Sequence, residues 1–256
     1  MAYLRNKEYI HAVISADSVT VNCEVFSVNL SDAEEAEELN LPKINVPSII
    51  LVANTRKTAI RIANIDDSVI IKNGNISQDT QWNLVQKTFP LGEKMNEDTH
   101  VFDGSIFVNE NGQSQFFIAA LPVNICNIFA KIGVRLTGTI HRVARLDTIE
   151  NILFKKYTAI SEMHESVLIF LPQDDGLRLL HITANLPNAT HYISYNPLYR
   201  EDEFLRFYNS FCNSQDSETI NKRAIFLKNN TALNWQWLRD ILSKYNFSIT
   251  EEIFHI

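Results

Sequence analysis

The chain has 256 residues, 45% hydrophobic and 21% charged, with a formal net charge of −7 and a pI near 5.5. That is ordinary globular composition, long enough for one large domain or two ordinary ones. It lacks the basic face on which phosphate-neutralising nucleic-acid binders depend. The longest apolar stretches, 47–53 and 116–123, fall far short of the roughly 20 residues a membrane helix needs.

The first thirteen residues carry charges and no continuous apolar core, so no secretory signal is read there. Three widely spaced cysteines, Cys23, Cys126 and Cys212, form no metal-type pattern. A reduced, cytoplasmic setting is expected. Glycine is scarce, at seven residues, under half of average usage. This bears on any loop that must admit a phosphate.

In chain order, 10–14 is an apolar run. After a turn at Ala16-Asp17-Ser18, alternation at Val19, Val21, Cys23 and Val25 predicts a half-buried strand, giving a β-hairpin. Residues 31–39 open on Ser/Asp and are acidic, which predicts a short exposed helix. Residues 46–53 and 59–65 predict strands, and 66–113 reads as mixed, irregular or inserted structure. Residues 115–121 predict a strand, and Pro122 suits a first helical turn. Ile125, Ile128, Phe129 and Ile132 recur at helical spacing, and Gly133 is expected to stop the helix. A strand over 134–140 and a helical stripe from Val143 to Tyr157 follow.

The pattern then restarts. Strands are predicted at 166–171, 177–183 and 189–194, separated by Asp174-Asp175-Gly176 and by 185–188. A helix opening at Asn196-Pro197, a strand at 224–227, a helix carrying Trp237, Leu238 and Ile241, and a strand at 247–249 complete the chain. The second half reads β-β-β-α-β-α-β. The first half reads β-β, an interruption, then β-α-β-α. One supersecondary plan is used twice, expected as a first lobe over 1–160 and a second over 161–256, each a mixed β-sheet flanked by helices.

This doubled α/β plan resembles that of the actin-like ATPase (RNase H-like) superfamily. Residues 116–150, FFIAALPVNICNIFAKIGVRLTGTIHRVARLDTIE, resemble the segment closing the first lobe of the type IV pilus assembly protein M family and of the type II secretion protein L cytoplasmic domain. VLIFLPQDDGLRLLHI, from Val167, stands where those families open their second lobe. The chain also resembles a functionally uncharacterised bacterial family with the actin-like fold.

The resemblance implies an ATP site between the lobes, built on three glycine-dependent elements. Here the first turn carries Asp17 but has Val19 where glycine is required. The second, Gln173 to Gly176, keeps its glycine but adds the carboxylates of Asp174 and Asp175. The third has Asn229-Asn230 where Gly-Gly is expected. Carboxylates facing phosphate oxygens at ~4 Å repel by about 4 kcal/mol at an effective dielectric near 20. The expectation is therefore a non-hydrolysing scaffold with no cofactor, no resident metal and no catalytic residue, binding a partner protein or a second copy of itself. The alternative is an ATP switch in which Asp17, Asp174 and Asp175 share Mg²⁺ with the phosphates.

Two further groupings are weighed on the residues alone. His181 and His191, on neighbouring strands, lack a third metal ligand. Asp147 and Glu150 read as a solvated helix face beside Arg145.

Overall fold

The structure is a computed structural model. It describes residues 10–14, 18–21, 24–27, 41–46, 48–66, 69, 71, 76–89, 98–173, 176–196, 198–212, 221–228 and 236–253. The helix expected over 31–39 lies outside them.

The first lobe opens with β1 (Ile10–Ile14), β2 (Ser18–Val21) and β3 (Glu24–Ser27). The alternation from Val19 to Val25 thus belongs to two strands. β1 pairs antiparallel with β2, and β2 antiparallel with β3. β4 (Ile49–Ala53) lies parallel to β1, and β8 (Val143–Thr148) parallel to β4, giving the order β3-β2-β1-β4-β8. All five residues of β4 are buried. An unbroken Ile-Ile-Leu-Val-Ala run is what a central parallel strand covered on both faces requires.

Between β4 and β8 stands an inserted unit. β5 (Ala59–Asn64), β6 (His100–Val108) and β7 (Ser114–Pro122) form a separate antiparallel sheet in the order β5-β7-β6. The helix α1 (Gln78–Thr88) packs on it through Val85 and Trp82. Its N-cap is Ser77, whose side chain accepts from the Thr80 amide. The inserted sheet is drawn largely from the flanks of the irregular stretch 66–113.

From β7 the chain enters α2 (Val123–Thr137), capped by Pro122. Gly133 does not end this helix. Its missing side chain lets the helix pass close over the sheet, since a Cβ there would lie 2.7 Å from Val143 Cγ2 and 3.0 Å from Leu51 Cδ1. The stop is Gly138, in the left-handed conformation at φ 80°. Residues 134–140 are therefore helix end and turn, and Val143 to Thr148 are strand. The apparent stripe from Val143 to Tyr157 joins β8 to the helix α3 (Ile149–Thr158).

The second lobe repeats the plan. β9 (Glu165–Gln173), β10 (Gly176–Thr183) and β11 (Leu186–Ser194) form an antiparallel meander. β12 (Asn221–Lys228) lies parallel to β9 and β13 (Ser248–Ile253) parallel to β12, giving the order β11-β10-β9-β12-β13. Both five-stranded sheets share one order and one set of directions. The helix α4 (Arg200–Phe207), prolonged by a π-helical turn over Tyr208–Cys212, and α5 (Gln236–Lys244) cover one face through Leu168, Phe170, Phe204 and Leu238. α4 starts at Arg200, later than expected, and Leu198 is 77% exposed rather than on its packed face.

α3 covers the other face. Ile149, Leu153, Phe154 and Tyr157 share one apolar core with Val167, Ile169, Leu180 and Ile182 of the second lobe. Phe154 also meets the inserted sheet edge-on, 5.7 Å from Phe117 and 6.3 Å from Phe107 between ring centroids. Burying each such side chain contributes about 1.5–3 kcal/mol. α3 is thus the shared wall of both lobes and the insert.

Candidate functional site

The two sheets meet at the carboxyl ends of their central strands. The Asn54 amide, just past β4, donates to Ile14 O at the end of β1 at 2.9 Å. Gln173, at the end of β9, donates from Nε2 to Asn54 Oδ1 at 2.8 Å. The positions flanking the β1–β2 and β9–β10 turns are therefore linked across the lobes.

The sequence-derived candidates Asp17, Asp174, Asp175, Asn229 and Asn230 all lie outside the described residues. Their neighbours bear on them. Gln173 pairs with Gly176, so the second turn has only two residues between strands. The glycine at 176 has a packing reason of its own: a Cβ there would collide with the Tyr192 hydroxyl and with Ile193 O. Lys228, next to Asn229, is engaged by Glu251, which also holds Arg239.

What the described residues do bring to the inter-lobe floor is a set of polar groups that sequence reasoning placed elsewhere. Asp147 and Glu150 are 2% and 0% exposed, not on a solvated face. Asp147 belongs to β8. Its carboxylate accepts from the Thr148 amide at 2.8 Å and from Asn151 Nδ2 at 2.7 Å, and sits 3.0 Å from Arg145. Thr148 is the N-cap of α3, accepting from the Asn151 amide at 3.3 Å. That cap aims Glu150, in the first turn, into the seam. The Thr-x-x-Asn spacing was the available signal.

Facing Glu150 is Arg178 of β10, with Nε 3.1 Å from Oε1 and side chains 7% and 0% exposed. Arg178 also reaches Thr55 O at 3.4 Å and lies 5.6 Å from the Tyr192 ring centroid. Burial pushes the Glu150 carboxyl above its usual range, while the guanidinium pulls it back. Around the pair, Thr58 Oγ1, both Glu150 oxygens, Asn151 Oδ1, Gln173 Oε1 and Arg178 Nε are buried without a hydrogen-bond partner. Among the described residues, these buried side chains line the floor between the lobes.

His181 and His191 are not a metal pair. His181, fully buried, has one ring nitrogen 2.9 Å from Ser166 Oγ and the other 2.9 Å from Asn188 Nδ2. Burial pushes it down to about 4, so it is neutral. His191 stacks on Phe207 at 5.5 Å. Among the described residues no group of three His, Cys, Asp or Glu could hold a metal ion.

A second concave feature lies on the insert. A cavity of about 230 Å³ opens between α1 and the sheet, lined by Gln78, Trp82, His100, Phe102, Gly104 and Phe116. A side chain at 104 would clash with the Phe116 ring. Trp82, Phe102 and Phe116 stand in its wall among the polar residues Gln78, Gln81, His100 and Asp103, with Trp82 and Phe102 edge-to-face at 5.7 Å.

No family model matches the chain, and no curated protein does. Solved structures do. A Bacteroides thetaiotaomicron protein with an actin-like ATPase fold and unknown function superposes with a TM-score of 0.59 at 9% identity, over 98% of this chain and 93% of that one. The PilM-PilN type IV pilus biogenesis complex matches with a TM-score of 0.57 at 12% identity, over 95% of this chain and 88% of its own. The fold is that of the actin-like ATPases, as the paired sheet orders require. Among the described residues no helix is long and apolar enough to cross a membrane.

Proposed function

We propose that this protein is a non-hydrolysing adaptor of actin-like fold that binds a partner protein in the cytoplasm. The observation that carries the reading is the inter-lobe floor. Between the lobes, where the resemblance implies a ligand, the described residues carry buried Glu150–Arg178 and Gln173–Asn54 contacts, which supports this reading. Its one glycine in the flanking turns, Gly176, is explained by Tyr192. The pilus structure of the same fold is a two-protein complex, which favours a protein as partner. We assign the partner's peptide segment to the cavity of the insert, where Trp82, Phe102 and Phe116 could anchor an apolar side chain beside the polar Gln78, Gln81, His100 and Asp103.

Two measurements test this. Thermal unfolding with millimolar ATP–Mg²⁺ should leave the midpoint unmoved. A ligand at 100 times its Kd would add about 2.7 kcal/mol, a shift of several degrees. Such a shift would replace the adaptor reading with the ATP switch held by Asp17, Asp174 and Asp175. A photo-crosslinker at Gln81, on the cavity wall, should give one discrete adduct in the source cell. Trp82→Ala should abolish it. Adducts of equal yield in both would remove the cavity from the proposal.

A further inference from the structure

We propose that the cavity of the insert receives one aromatic side chain of the partner, a tyrosine or a tryptophan, with its ring inside and its hydrogen-bonding edge at the mouth. The inference rests on the adaptor reading and names the chemistry that the partner must present there.

The first argument is the grading of the walls. α1 contributes Gln78, Gln81, Trp82 and Val85, at the spacing that puts residues on one face of a helix. β6 contributes His100, Phe102 and Gly104, alternate positions on one face of a strand. Gln78 is exposed, and Gln81 and His100 are half-buried. Val85 is buried, and so is Phe116, whose ring lies against Gly104. Both walls thus run from polar at the mouth to apolar at the base. A ligand that follows this gradient has an apolar body and a polar end.

The second argument is size and ring geometry. A closed apolar cavity of about 150 Å³ takes up benzene. This one, at about 230 Å³, has room for a phenol or an indole. Its rings are already set edge-to-face: Trp82 meets Phe102 at 5.7 Å, and Phe89 meets Phe102 at 5.9 Å. A further ring beside Trp82 extends that packing, which is worth about three- to tenfold in affinity beyond the area it buries. An aliphatic side chain gains the burial alone.

The third argument is what the mouth offers. Gln81 Nε2 donates to Ile76 O at 3.3 Å, which holds the amide and sets its carbonyl oxygen as the acceptor. His100 Nδ1 is 2.9 Å from Thr99 Oγ1, which leaves Nε2 to face a ligand. A phenol hydroxyl both donates and accepts, and an indole N–H donates, so either finds a partner here. Tyrosine and tryptophan are also the side chains that most often anchor an interface from such a recess.

The test is titration of the isotope-labelled full chain with phenol and indole, read by NMR. Both should give saturable shifts at the Trp82 indole N–H and at the amides of Gln78, Gln81, Phe102 and Gly104, at low millimolar concentration. Cyclohexanol has the size and hydroxyl of phenol but no ring electrons, and should bind about three- to tenfold more weakly. Trp82→Leu, which keeps apolar filling but removes the ring, should weaken phenol by a similar factor. If that variant does not fold, the phenol and cyclohexanol comparison on the wild type decides alone. The N-acetyl amides of tyrosine and tryptophan should bind as phenol and indole do. The proposal is overturned if no saturable shift appears, if cyclohexanol binds as tightly as phenol, or if folded Trp82→Leu binds phenol as the wild type does. It is overturned too if the free rings bind and the N-acetyl amides do not, because the cavity is then a small-molecule site. Each of these results leaves the adaptor reading standing, since that is tested separately by unfolding with ATP–Mg²⁺.

Discussion

His181 gives a pH dependence whose sign and size follow from its position. It is neutral and fully buried between Ser166 and Asn188. The folded chain holds it at about 4 against an ordinary 6.5. Below 6.5 the unfolded chain takes up a proton that the folded chain refuses. Its contribution is therefore present above 6.5 and lost as pH falls toward 4. The full difference is worth about 3 kcal/mol, and between pH 7 and pH 4.5 about 2 kcal/mol of it should disappear. Carboxylates titrate in the same window. Glu150 acts with the opposite sign, because a raised carboxyl favours the folded state at low pH and loses that advantage as pH rises. The measurement must therefore be a difference. Urea unfolding of wild type and His181→Gln is compared at both pH values. The substitution shifts stability by an amount independent of pH, while wild type loses about 2 kcal/mol more on acidification. Equal losses in the two proteins would refute the assignment of a neutral, proton-refusing His181.

Two other positions give simpler expectations. Gly133→Ala places a methyl group 2.7 Å from Val143 Cγ2; overpacking costs about 1–3 kcal/mol and helix propensity returns about 1, so chemical denaturation should show a net loss near 1 kcal/mol. Asn109, between β6 and β7, accepts from the Asn111 and Gln113 amides and donates to Ala184 O at 3.1 Å, tying the insert to the β10–β11 turn. Asn109→Ala should cost about 2 kcal/mol and speed amide exchange in both turns.

The second lobe was legible because its punctuation is local. Asp-Asp-Gly, the Asn-rich turns and the apolar runs mark every strand, and each face of β9 finds its cover within the lobe or on α3. The first lobe was harder where one periodicity serves two structures. Val143 and Leu146 sit three apart and continue into Ile149 and Leu153, so β8 and α3 read as one helix. Gly133 was misread because a helix glycine that admits a neighbouring sheet looks, in sequence, like a stop. The Thr148–Asn151 spacing marks the helix start, but not the burial of Glu150. Its partner is 28 positions away on the other lobe, and a carboxylate beside Arg145 resembles any solvated helix turn.

Among the described residues β13 ends the strand order of the second sheet, and Ile253 at its close is 66% exposed. An edge of this kind invites a foreign strand to add on. Its neighbours Glu251 and Glu252 are both spent on cations or a phenol of the same molecule. The residues that join β13 to α3 and α5 are thus also its guards against self-association.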